Sequence, residues 1–194
     1  MKKLFIVLAL FLALFLFQNS LNSQVKVGAH LGFALPMGDF GDVVSSGFGA
    51  MGSLNYKLNS DLTLTVGLGY YSFGKKDENK ISGLGYSTDY SYSILPIVGG
   101  LKYELGKDKG SIVPYVGGEL GFYHISFSFK TTVLAASVET EDSETNFGFS
   151  PLAGVVIKLN KDLDFDLNLK YTILSSTGID PNHLVLNAGI IFSI

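Results

Sequence analysis

From Leu163 to Ile173 the chain alternates without a break. Leu163, Phe165, Leu167, Leu169, Tyr171 and Ile173 are large and apolar, and Asp164, Asp166, Asn168, Lys170 and Thr172 lie between them. A period of two places these sets on opposite faces of a β-strand. One face requires an apolar medium, and the other carries charges that must be hydrated or paired. Strands are usually about five or six residues long, whereas a tilted strand crossing a bilayer needs about 9–11. This stretch fits the second length.

Seven more stretches repeat the pattern. Strands are predicted from Val25 to Leu35, Gly47 to Leu58, Leu62 to about Tyr71, Asp89 to Leu105, Ile112 to about Phe129, Asn146 to Leu159, and Leu184 to Ile194. Two irregularities stand out. Pro96 removes a ladder donor and demands a bulge or a local gap in pairing. Beyond His124 the apolar positions change phase to Ile125, Phe127 and Phe129, which predicts a bulge or a protruding extension. The connections Asn59-Ser60-Asp61, Gly106 to Gly110 and Asn160-Lys161-Asp162 are short turns. Those from Pro36 to Ser46, Lys75 to Thr88, Lys130 to Thr145 and Ser175 to Asn182 are longer loops. Long and short connections alternate, so all the long ones fall at one end. An even number of strands with this asymmetry predicts an all-β, eight-stranded antiparallel up-and-down transmembrane β-barrel.

The start of the chain sets the compartment. Met1-Lys2-Lys3 precedes an unbroken apolar run from Leu4 to Phe17, followed by a polar exit through Ser23. This order reads as a cleaved secretory signal peptide over residues 1–23, with the barrel domain over 24–194. The run falls short of the ~18 residues of a transmembrane helix candidate. Hydrophobic residues make up 47% of the chain and the mean hydropathy is +0.33, yet no later run approaches a spanning helix. Without cysteine there is neither a disulfide framework nor thiolate chemistry. Removing Lys2 and Lys3 takes the formal charge from −3 to −5 and leaves no arginine, which argues against nucleic acid as a partner.

A soluble, lipocalin-like ligand-binding barrel would alternate as well, with its apolar face inward. Against it, the apolar sets run nearly the full strand length and the polar sets are rich in Gly, which suits a crowded interior. Tyr56, Tyr70, Tyr103, Phe147 and Tyr171 lie towards strand ends, where interfacial aromatics belong. The C-terminus, Asn187-Ala188-Gly189-Ile190-Ile191-Phe192-Ser193-Ile194, resembles the signal by which assembly machineries recognise a barrel's last strand, with Asn187, Gly189, Phe192 and Ile194 as its marks. Together with segments such as Tyr92-Ser93-Ile94-Leu95-Pro96 and Pro114-Tyr115-Val116-Gly117-Gly118, the mature chain resembles the outer-membrane protein β-barrel domain family, in the style of small OmpX- and OmpW-type barrels. The resemblance implies a monomer in a Gram-negative-type outer membrane. The partners it implies are lipid, lipopolysaccharide and the barrel-assembly machinery, with no cofactor.

The polar face supplies the candidate site. Lys26, Lys57, Lys102, Lys158 and Lys170 point inward with Glu104, Glu119, Asp164 and Asp166. Unpaired buried charges are costly, so a charge-paired, largely filled lumen is expected, with a structural or interaction role. The alternative is a small conduit or binding barrel for hydrophobic or small solutes, although a selective channel would favour one sign of charge. Enzymatic chemistry would have to use His30, His124 or His183. His30 and His183 become strand neighbours when the barrel closes and both face inward, but a lipid hydrolase needs its groups at the lipid-facing rim. No metal-ligand spacing occurs, and catalysis is not expected. The acidic run from Glu139 to Glu144 is a candidate for a cation bridge to lipopolysaccharide, and Lys75, Lys76 and Lys80 for contact with lipid phosphates.

Overall fold

The computed structural model describes residues 24–75, 86–106, 110–133, 136–176 and 178–194, with the backbone alone for 86–90 and 129–139. The predicted signal segment and Lys76 and Lys80 lie outside the described residues. Eight strands form one closed sheet, each hydrogen-bonded to its sequence neighbours and β1 to β8. They are β1 (Val25–Pro36), β2 (Val44–Lys57), β3 (Leu62–Lys75), β4 (Tyr86–Glu104), β5 (Ile112–Val133), β6 (Ala136–Lys158), β7 (Leu163–Leu174) and β8 (His183–Ser193). Closure runs from Lys26 opposite Ser193 to Pro36 opposite His183.

The wall obeys the alternation. Leu31 is 73% exposed and Phe48 70% exposed, and the exposed side chains Leu68, Ile97, Phe122, Phe147, Leu169 and Leu186 continue an apolar belt around the outside. A soluble monomer rarely exposes contiguous apolar surface of more than a few hundred Å². On β7 the apolar face spans roughly 34 Å at ~3.4 Å per residue. A tilt of ~35–45° brings that close to the ~25 Å apolar band of an outer-membrane barrel. Aromatic pairs mark the belt towards the end with the long connections: Phe33 with Phe48 at 5.0 Å and Phe122 with Phe147 at 5.7 Å between ring centroids.

Two short turns are built alike. Asn59 Oδ1 accepts the N–H groups of Asp61 and Leu62, and Asn160 Oδ1 accepts those of Asp162 and Leu163, all at 2.9 Å. At Pro96 the outcome is a gap: β3 and β4 pair at Leu68–Ile97 and again at Tyr71–Ile94, in unchanged register. Pro151, which the alternation does not flag, opens a similar gap between the Phe149–Ile173 and Leu152–Lys170 pairs.

Two of the expected loops are corrected. The segment from Pro36 to Ser46 contains a short helix, α1 (Phe40–Val43), and β2 already begins at Val44. The segment from Lys130 to Thr145 is mostly strand, because β5 and β6 stay paired in one register from Ile112–Ile157 to Val133–Ala136. His124 therefore marks an extension and not a bulge. Parity is kept: Ile125 and Phe127 face inward with Tyr123, and the outer face turns polar with His124, Ser126 and Ser128. The apolar phase changes because the strand leaves the belt while its inner face closes over an apolar mouth.

That mouth is an aromatic stopper. Phe40 from α1 is buried against Phe73 at 5.1 Å and Tyr92 at 4.8 Å. Around it pack Ala34, Val44, Tyr71, Ile94, Tyr123, Ile125, Leu174 and Val185.

Candidate functional site

Below the stopper the lumen is polar, and Asp166 is its centre. It is fully buried. His30 Nε2 lies 2.9 Å from its Oδ2, Asn168 Nδ2 donates to the same oxygen at 2.9 Å, and the Tyr115 hydroxyl donates to Oδ1 at 2.8 Å. Lys102 Nζ stands 3.7 Å from Oδ2 and 4.8 Å from the centre of the Tyr115 ring. A buried carboxylate is tolerated only when its lone pairs are filled, and β1, β4, β5 and β7 each send one partner to fill them.

The second buried pair is Lys170 with Glu119 at 2.9 Å, and the same ammonium reaches Met51 Sδ at 3.6 Å. A hydrogen-bonded chain joins the Asp166 centre to the stopper. Tyr71 donates to Asn187 Oδ1 at 2.9 Å, Asn187 to Asn168 Oδ1 at 3.0 Å, and Asn168 to Asp166. Glycines make room for the rings: a Cβ at Gly154 would collide with Tyr115, and one at Gly49 with Tyr71.

Towards the short-turn end, Lys26 pairs with Asp164 at 2.6 Å and Lys57 with Glu104 at 3.4 Å. Eight of the nine inward charges predicted from sequence thus stand within ion-pair distance of a partner. Lys158 departs from the expected network. It is exposed at the short-turn mouth and pairs with no carboxylate among the described residues.

The histidines are placed apart. His30 belongs to the Asp166 cluster, whereas His183 lies opposite Pro36, six residues further along β1. At ~3.3 Å per residue that is about 20 Å, so the two do not form a pair. His183 packs edge-on to Phe73, and its Nδ1 meets the Pro181 carbonyl at 2.8 Å. His124 sits on the outer face with Thr145 at 3.0 Å. No three His, Asp or Glu side chains are grouped to hold a metal among the described residues.

From the sequence alone Tyr115 and Tyr123 receive no role, and the stopper Phe40 is missed. A lone aromatic in a Gly- and Asp-rich loop is its only signal. The voids left in the lumen are small: about 80 Å³ at the short-turn mouth, and about 20 Å³ among His30, Met51, Glu119 and Lys170. Such spaces hold a few waters.

A closed antiparallel barrel with an apolar outer belt and a filled, charge-paired lumen is a small integral barrel of the outer-membrane class. The chain belongs to the outer membrane protein β-barrel domain family, whose model matches residues 5–192. Among proteins of curated function none matches it. Solved structures similar in fold include Neisserial surface protein A, 18% identical with a TM-score of 0.57 over 88% of this chain and 97% of that one. OprG from Pseudomonas aeruginosa is 15% identical, with a TM-score of 0.56 over 88% and 96%. Ail, the attachment invasion locus protein of Yersinia pestis, is 16% identical, with a TM-score of 0.51 over 88% and 97%. The protein resides in the outer membrane, so the belt meets its lipid, the long connections are extracellular and the short turns periplasmic.

Proposed function

We propose that the barrel is an anchor that presents a sheet edge to extracellular partners. The observation that carries this is the unequal height of the wall. β7 ends at Leu174, opposite Gly148, while β6 continues upward to Ala136 paired with β5 alone. The Lys158 N–H bonds to the Ser111 carbonyl. Even residues of β6 therefore turn their backbone groups to β5, and Glu141 and Thr145 turn theirs to the open side. The Ser143 N–H is already engaged by the Asp142 carboxylate at 2.9 Å.

An open edge is a template for an added strand. Here it is bordered by exposed Glu141 and Asp142 and half-buried Glu144, so a second copy of the same edge is repelled and a lysine- or arginine-bearing extended segment is favoured. The experiment is binding of a lysine-rich extended peptide to the folded barrel, followed by fluorescence anisotropy. Glu141→Pro should abolish binding by removing an edge donor, and Glu141→Gln should weaken it by charge alone. Equal binding by wild type and Glu141→Pro would refute the proposal.

On this reading the barrel is not an enzyme: His30 is committed to Asp166, His183 is bonded to the Pro181 carbonyl, and among the described residues no carboxylate is hydrogen-bonded to His124. Export through residues 1–23 and recognition of Asn187, Gly189, Phe192 and Ile194 by the assembly machinery complete the proposal. Lipopolysaccharide is the lipid expected around the extracellular half of the belt.

A further inference from the structure

We infer that the periplasmic mouth of the lumen is a binding pocket for a phosphate-class oxyanion. Among the described residues, the mouth cavity of about 80 Å³ is lined by Lys26, Lys57, Lys102 and Lys158 and by two carboxylates, Glu104 and Asp164. The pocket therefore carries a formal excess of two positive charges, in a chain that is acidic as a whole.

The excess is concentrated in two ammonium groups. Asp164 and Glu104 are taken by Lys26 and Lys57. Lys102 is left with a carboxylate 3.7 Å away that already accepts three shorter contacts, and with the face of Tyr115. An ammonium has three donors to satisfy, and Lys102 lines the cavity. Lys158, on β6 two strands away from Lys102 on β4, lines the same cavity and pairs with no described carboxylate.

Lysines without a planar arginine fork act as point charges, and they suit a tetrahedral oxyanion better than bidentate recognition of a carboxylate. The cavity has the volume of two or three waters, about the space such an anion displaces. It opens to the periplasm, whereas the stopper around Phe40 closes the other end. The ligand therefore enters and leaves on the periplasmic side.

The test is a phosphorus NMR titration of the barrel, folded in uncharged detergent at low salt, with inorganic phosphate and in parallel with glycerol phosphate. Saturable binding of either is expected. Inorganic phosphate binding the tighter assigns a free anion, and glycerol phosphate binding the tighter assigns a phosphomonoester. Lys158→Met removes an exposed group, so the fold is retained, and affinity should fall about fivefold or more. Glu104→Gln removes a competing carboxylate and frees Lys57, so affinity should rise several-fold. Lys161→Met, the same charge change on the neighbouring turn but outside the cavity lining, should lower affinity clearly less than Lys158→Met does. Absence of saturable binding, or an equal loss in Lys158→Met and Lys161→Met, would overturn the inference.

Discussion

Asp166→Asn puts the lumen's polar centre to the test. The substitution keeps the side-chain shape and one acceptor oxygen. If that oxygen stays on Tyr115, the new amide N–H₂ faces Asn168 Nδ2 and His30 Nε2, both at 2.9 Å from the position it takes. At least one donor then meets a donor. Lys102 also loses the only carboxylate shown within 4 Å of its ammonium. Breaking a buried ion pair by removing one partner costs about 3–5 kcal/mol. With a urea dependence of roughly 2 kcal/mol per molar, the unfolding midpoint should drop by about 2 M. Urea titration of the folded barrel, read by the gel-mobility difference between boiled and unboiled samples, measures this. Lys102→Met in the Asp166→Asn background removes the stranded charge. The double variant should therefore be more stable than the sum of the single effects by about 1–3 kcal/mol. A midpoint shift below about 0.5 M, or additive effects of the two substitutions, would refute the account of Asp166 as a carboxylate held by shared donors.

Three further outcomes follow from the wall, the stopper and the lumen. A Cβ at Gly189 would collide with the Ala29 carbonyl and the His30 ring. Gly189→Ala should therefore destabilise the purified barrel by about 1–3 kcal/mol in unfolding titrations without any assembly factor. Phe192, 44% exposed on the outer wall, should when changed to Ala leave that titration nearly unmoved and lower the amount inserted in cells. A titration unmoved by Gly189→Ala, or moved as far by Phe192→Ala, would refute this account of the two positions. Phe40→Ala empties the centre of the stopper and should cost about 3–5 kcal/mol, seen as a lower melting temperature; an unchanged one would show that α1 does not hold the mouth. In planar bilayers neither wild type nor Phe40→Ala should give resolved openings, because the Asp166 and Glu119 layers still fill the lumen, and resolved wild-type openings would defeat that reading.

The strands and their faces were legible because the wall is one residue thick. Each side chain meets either lipid or lumen, so chemistry reports its side directly, as with Leu167 outside and Asp166 inside. Pairing inside the lumen was not legible. Which lysine meets which carboxylate depends on how far each strand is displaced along the next, and only the closed barrel fixes this. That displacement brings His30 of β1 and Lys102 of β4 to one Asp166, while Lys158, opposite Asp164 in register, has no ion pair among the described residues because Lys26 holds that carboxylate. The phase change after Phe122 misled for a related reason. Alternation reveals that two faces differ, but not which of them is wet. Within the belt the outer face is the dry one. Above it, at Ile125 and Phe127, the inner face is dry, while Ser126, Ser128, Ser143 and Thr145 look outward to water and read as loop. The reversal is therefore itself a measurement: the lipid boundary on β5 and β6 lies between the Phe122–Phe147 pair and the His124–Thr145 pair. The open edge of β6 lies above that level, where an aqueous partner can reach it.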